Sequence, residues 1–436
     1  MLMATRMAPA LALGLLAVPA AASEPAERAF QAAGNWTVYI RAAIDVALDD
    51  DEQGTHSGSG LVVDADRGWV LTNAHVASHS YSTLAISFRR GRPLPAERVY
   101  VDPYLDVAVI AYDPQAIDGR PPEPVLDCES VPPVGHPVGA FGHPWGLRFT
   151  GTRGIASAIT SRLGPDMLQT DAPINAGNSG GPLISLDTGR IVGLSTAKIS
   201  DESVEGLSFA VPMPNVCRIL DLLRAGEDPS PPDLQVEFAY DEGGDRTLTV
   251  VHVRQPSGSL RLEPGDHIVA LGDPAQPVAT HGELMNALRG TLDHVVLHVE
   301  RDGSNVVLRG SLPPVPLLTQ RRAFGIAGAY FAESNRSRLA PLIGVGRLMV
   351  HHVQPASAAD QLAVRSYDVL VTANGQPVNS VDDLAAVAWR AEREQRELEL
   401  VLARLFDRNI DELITYHRRV LTPSELRPIG PWRPSP

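Results

Sequence analysis

Asp171-Ala-Pro-Ile-Asn-Ala-Gly-Asn-Ser-Gly-Gly-Pro-Leu183 is the stretch on which the reading of this chain turns. Ser179 stands between Asn178 and the pair Gly180 and Gly181, and a strand-like run from Pro182 to Ser185 follows. A serine hydroxyl is a poor nucleophile until a base takes its proton and donors receive the charge building on the attacked carbonyl. Glycines at 177, 180 and 181 permit a tight turn whose N–H groups can face such an oxygen. A Gly-rich hairpin with an ordinary serine reads the same way, so the stretch needs partners elsewhere.

Two lie upstream. In Val70-Leu-Thr-Asn-Ala-His-Val76 an apolar strand ends in a polar turn that presents His75, and Gly58-Ser-Gly-Leu-Val-Val63 reads as its pairing strand. In Asp102-Pro-Tyr-Leu-Asp-Val-Ala-Val-Ile110, Asp106 opens a second buried strand. A lone histidine or aspartate in such a place is usually structural. Together, the three fall in the chain order His, Asp, Ser of a chymotrypsin-type triad. The intervals, 31 and 73 residues, leave room for several strands.

These segments resemble the HtrA/Deg family of periplasmic trypsin-like serine endopeptidases. The resemblance implies a mainly β chain: a chymotrypsin-like double β-barrel, with the site between the barrels, followed by two α+β PDZ-like domains. It implies Ser179 as nucleophile, His75 as general base and Asp106 as the group fixing the imidazole tautomer. The N–H groups of Gly177 and Ser179 would form the oxyanion hole, with that of Asn178 close by. No metal or organic cofactor is called for. The family also implies unfolded or misfolded proteins as substrates and a homo-oligomer, a trimer in its relatives. Phe30 and Trp36 are the aromatic residues near the N-terminus that would serve a trimer contact, or else pack into the core.

Length and composition agree with several globular domains. The 436 residues exceed what one core organises, and 44% hydrophobic with 20% charged residues suits folded modules. A formal charge of −14 argues against nucleic acid as a partner. Arg6, the apolar run from Met7 to Val18 and the small residues Ala20 to Ala22 read as a secretory signal peptide over 1–22, against an uncleaved anchor. The expected location is a bacterial periplasm. Cys128 and Cys217 fit no metal motif; two isolated small apolar residues is the preferred reading over a pair.

A protease domain is expected over 23–224. The acidic run Leu48–Gly54 reads as a solvated loop, and His143 as an ordinary loop histidine. The connection Ser161–Asp166 is shorter than the sensor loop of many relatives. The S1 pocket would have Pro173 at its base, six residues before Ser179, which disfavours basic side chains. Leu194, Ser195, Thr196 and Lys198 would wall it, Lys198 either reaching the pocket rim or extending into water. Apolar residues at 216, 219, 220, 222 and 223 predict a closing helix, and Ala225–Pro232 a stiff polar linker.

Residues 233–312 read as a degenerate PDZ-like domain, since Leu234–Phe238 offers no Gly-rich carboxylate loop. Residues 321–422 form the better PDZ match, with Phe324, Gly325, Ile326, Ala327 and Gly328 as a peptide-binding loop or simply a Gly-bearing strand. The Pro-rich tail 423–436 is expected to be disordered or loosely docked. Two functions follow: an exported endopeptidase for unfolded or damaged proteins in quality control, or a chaperone or scaffold of the same fold with little turnover.

Overall fold

The structure is a computed structural model that describes residues 25–436 except 49–50, 103, 162–164, 199–206, 243, 245, 255–257, 316–320, 334–347, 407–412, 431 and 433–436. The expected signal segment lies outside the described residues.

Helix α1 (Pro25–Trp36) leads into a closed six-stranded barrel. Its strands are β1 (Thr37–Ile44), β2 (Gly54–Asp64), β3 (Trp69–Thr72), β4 (Ser82–Ser87), β5 (Leu94–Val101) and β6 (Ala108–Tyr112). They close in the order β1-β2-β3-β6-β5-β4. Val38, Ile40, Leu61, Val70, Leu71, Val109 and Ile110 fill it and have no exposed surface. At about 25 cal/mol per Å² of apolar area, such burial is the main force closing the barrel. The short helix α2 (Ala74–Ala77) interrupts the run from β3 to β4 and carries His75.

A second closed barrel follows, built from β7 (Pro137–Gly142), β8 (Thr150–Thr160), β9 (Met167–Thr170), β10 (Pro182–Ser185), β11 (Ile191–Lys198) and β12 (Ser208–Pro212). Val138, Ala140, Leu168, Leu183 and Ala210 form its core. Helix α3 (Met213–Ala225) then buries Val216, Ile219, Leu220 and Leu222, close to the predicted face, and stops at Gly226, whose φ of 76° only glycine adopts freely. Cys217 on α3 is bonded to Cys128 in a disulfide that spans 89 residues. This corrects the expectation of two isolated thiols: chain distance hid that their Cα atoms lie 5.6 Å apart.

Two further sheets complete the chain. The middle one has β13 (Val236–Tyr240), β14 (Arg246–Val253), β15 (His267–Leu271), β16 (Gln276–Pro277), β17 (Val295–Arg301) and β18 (Ser304–Gly310), with helix α4 (His281–Leu288) on it. A capping box between Thr280 and Glu283 starts α4. The last one has β19 (Ala323–Ile326), β20 (Ala329–Glu333), β21 (Leu348–Val353), β22 (Val369–Ala373), β23 (Gln376–Pro377), β24 (Leu398–Phe406), β25 (Leu413–Leu421) and β26 (Arg427–Ile429). The helix Val381–Arg393 packs across it, opened by a second capping box, Ser380 with Asp383.

Two expectations change here, and one is narrowed. Of the predicted stiff polar linker Ala225–Pro232, Pro229 to Pro232 are buried, with Pro229 O accepting from Tyr100 and Arg289. Trp36 is buried in the core of the first barrel, and Phe30 stacks on Phe141 at 6.0 Å, the packing alternative of the two readings given for these aromatics. The tail is ordered at Arg427–Ile429, which pairs with β19.

Candidate active site

The site forms where α2, the β5–β6 connection and the turn before β10 meet. Asp106 sits at φ 56°, a left-handed conformation that turns its side chain back toward α2. Its backbone carbonyl accepts the buried Asn73 amide at 2.8 Å. Its carboxylate receives the His75 Nδ1–H at 2.8 Å and the His75 backbone N–H at 3.0 Å. The Nδ1–H donation leaves Nε2 as the free basic nitrogen.

Burial pushes the His75 pKa down, but the charge and hydrogen bond of Asp106, with a smaller pull from Asp51, carry it above its ordinary value. Asp106 moves the opposite way: burial raises it, and His75 with the Thr196 hydroxyl hold it below the usual carboxylate range.

Thr196 was read from sequence as a pocket wall. Its hydroxyl donates to Asp106 Oδ2, the oxygen that also receives the His75 Nδ1–H, while its carbonyl accepts the Ser179 hydroxyl at 3.1 Å. One residue of β11 therefore joins the acid to the serine. Among the described residues, Ser179 Oγ makes no hydrogen bond to His75. The sequence signal for Thr196 was a hydroxyl on the strand facing the serine turn, indistinguishable there from its neighbour Ser195.

The serine turn is held from behind. Trp145 N–H donates to Ala176 O at 2.8 Å, and Gly181 N–H to Asn178 O at 2.9 Å. In a trans peptide the N–H opposes the carbonyl, so these anchors aim the Gly177 and Ser179 N–H groups away from the protein partners. Neither donates to another backbone carbonyl among the described residues. The Asn178 N–H, expected nearby as a third donor, is instead engaged by Asn175 O at 2.9 Å. Gly177 needs its φ of 101°, and a Cβ there would lie 2.3 Å from His143 O. At Gly180 a Cβ would fall 2.2 Å from Ser59 O.

His143 is not a loop residue of no account. It is fully buried behind the turn, with Nδ1 3.0 Å from Ser59 Oγ. Ser59 Oγ donates in turn to Gly177 O at 2.7 Å. Burial, with Arg148 nearby, drops the His143 pKa to about 4, so the ring is neutral at physiological pH. The acidic run is likewise not simply solvated. Asp51 accepts Ser78 Oγ and Ser80 N–H, both at 2.6 Å, and so fixes the chain leaving α2.

Of the expected S1 residues, Pro173 is exposed and its carbonyl accepts Thr152 Oγ1 at 2.9 Å. Leu194 and Ser195 have no exposed surface and so cannot line an open pocket. The Lys198 side chain lies outside the described residues. The β8–β9 connection, though short, reaches the middle domain: Thr280 Oγ1 donates to Asp166 at 2.8 Å.

Comparison with known proteins agrees with the fold. The trypsin-like peptidase domain family matches residues 58–194. A probable periplasmic serine endoprotease DegP-like from Halomonas elongata is 30% identical over 367 residues, covering 78% of this chain and 75% of the relative. Periplasmic serine endoprotease DegP of Escherichia coli is 28% identical, covering 76% and 71%. Among solved structures, the HtrA-type protease AlgW with tripeptide superposes at TM-score 0.53 with 27% identity, covering 67% of this chain and 98% of that one. A trypsin-like match, two six-stranded barrels and a relative aligned over most of its length make the chain a member of the DegP/HtrA family of serine endoproteases.

Proposed function

We propose that Ser179, His75 and Asp106 cut peptide bonds in unfolded or damaged proteins, as protein quality control outside the cytoplasm. The observation that carries this is the connected set His75–Asp106–Thr196–Ser179. In the reaction the Ser179 hydroxyl leaves Thr196 O, passes its proton to His75 Nε2 and bonds to the substrate carbonyl carbon. The carbonyl oxygen takes the electron pair and is met by the Gly177 and Ser179 N–H groups. The imidazolium returns the proton to the leaving amine as the C–N bond breaks. Water then repeats the sequence on the acyl-enzyme and frees Ser179. Asp106 stays ionised throughout and holds the ring.

The organisation that goes with this reading is a removed signal peptide (1–22), a protease domain (23–224) and PDZ-like domains at 233–312 and 321–422. Their order and the family's habit support a periplasmic homo-oligomer, a trimer, acting on protein substrates. Pro173, Thr196 and Lys198 are the residues kept for the S1 wall.

The test is labelling with a fluorophosphonate probe, followed by casein digestion. Labelling and digestion that both vanish in Ser179→Ala support the assignment. A folded protein that resists labelling at every temperature, while suppressing aggregation of a denatured client, would mean a chaperone instead.

A further inference from the structure

We propose that the tail from Ser424 to Gly430, with the ring of Trp432, is an in-cis ligand of the C-terminal domain, its Arg427–Ile429 added as a strand to β19 and its indole set against the helix Val381–Arg393. Once vacated, that groove takes an extended, proline-bearing peptide with an indole anchor. The inference rests on reading this domain as a peptide-binding, PDZ-like unit.

Without the tail, β19 would be the open edge of its sheet. An open edge presents unpaired N–H and C=O groups and invites strand addition. The tail fills it in antiparallel register, Ala323 with Ile429, Phe324 with Pro428 and Gly325 with Arg427. The next N–H along, that of Ala327, donates to Ser424 O at 2.8 Å. The backbone expected to receive a foreign peptide at Phe324–Gly328 is thus engaged by the chain itself.

The side chains supply the anchor. The Trp432 ring lies 5.6 Å from Phe324 and 5.8 Å from Trp389 of the helix, and the Arg322 guanidinium sits 5.2 Å over it. Its Nε1–H donates to Ile429 O at 2.9 Å, which folds the segment over the strand. Leu426 packs on the domain core, and Ile429 is buried in a separate cluster with Ala323 and Tyr330 and with Val46 and Leu48, which follow β1. Ladder bonds with an apolar anchor between strand and helix are how an added peptide strand is recognised. Only Thr422 to Leu426 separate β25 from β26. So short a tether presents the segment at an effective concentration on the order of millimolar, which keeps weaker outside peptides away.

The test uses fluorescence anisotropy with a fluorescein-labelled peptide of the sequence Ser424–Pro436, in a Ser179→Ala background so that nothing is cut. Three proteins are compared: the full chain, a chain ending at Thr422, and a full chain carrying Ile429→Asp with Trp432→Ala. The shortened chain should bind saturably and at least about tenfold more tightly than the full chain, with the double variant also gaining affinity. The peptide with Trp432→Ala should lose about tenfold or more. Equal binding by the full and shortened chains overturns the proposal. If the shortened chain does not fold alone, it is refolded with the peptide present; recovery of a melting transition supports the proposal, and none overturns it. A folded shortened chain that takes up a random dodecapeptide library but not the tail peptide removes the in-cis ligand and keeps the peptide-binding domain. One that binds neither removes both.

Discussion

Arg289, at the end of α4, donates through Nη1 to Asp102 Oδ2 at 2.6 Å, and neither side chain has any exposed surface. The other Asp102 oxygen accepts the N–H groups of Tyr104 and Leu105 at 2.8 and 2.7 Å, while the Asp102 N–H bonds to Val107 O. These bonds bracket Asp106. Arg289, which ends the helix on the middle sheet, therefore supports the loop that presents Asp106, the acid of the proposed triad, and Tyr104 of that loop meets His281 at 2.8 Å.

Arg289→Met should leave the Asp102 carboxylate buried without its countercharge. Removing one member of such a pair costs about 3–5 kcal/mol. The melting temperature should fall, with kcat/KM on a peptide substrate falling at permissive temperature as the Asp106 loop loosens. The double variant Asp102→Asn with Arg289→Met should regain much of the stability. Unchanged melting in the single variant would mean that the pair contributes nothing.

Thr196→Val keeps the carbonyl that receives Ser179 and removes the hydroxyl bound to Asp106. A hydrogen bond to a charged group is worth about 1.5–3 kcal/mol, so kcat/KM should drop roughly tenfold to a hundredfold. Thr196→Ser should retain most activity. Steady-state kinetics of the two variants decide it.

The pH profile follows from the His75–Asp106 pair. His75 must be neutral to accept the serine proton, and its pKa is raised, so the acid limb of kcat/KM should lie above the ordinary 6.5. In Asp106→Asn the attraction is gone and burial remains, which should move that limb downward while kcat falls about 10⁴-fold. For stability the signs differ by partner. The raised His75 pKa contributes fully below its unfolded value and is lost as pH rises through the folded one. The depressed Asp106 pKa contributes above its unfolded value and is lost as pH falls through the folded one. A limb at or below 6.5 in the native enzyme would contradict the geometry.

Cys128→Ser with Cys217→Ser should lower stability, by up to about 4.6 kcal/mol in the chain-entropy account of a loop this long. Denaturant unfolding with and without reductant measures the difference.

The proposed triad could be read from the sequence because each member ends or begins a strand whose apolar residues announce it. His75 follows Val70 and Leu71, and Asp106 precedes Val107 to Ile110. The supports of that triad were not legible. Asp51 reads as one acid in an acidic run, Thr196 as one hydroxyl on a strand, and Arg289 as a helix-end arginine. Each acquires meaning only from a partner brought near by folding, 90 residues away for Thr196 and Asp106, 187 for Arg289 and Asp102. The tail misled for a similar reason. Its prolines speak against regular structure within the chain, yet Pro428 can sit on an edge strand, where a missing N–H leaves no ladder bond unmade.

The Cys128–Cys217 bridge has one more outcome for an enzyme that cuts polypeptides. The whole of the second barrel and Ser179 fall between its two ends. A copy nicked once by its neighbour inside that span would stay in one covalent piece, and would migrate as two fragments only after its sulfurs were reduced. Damage of this kind would go unseen on a non-reducing gel, and the halves would remain tethered at close quarters.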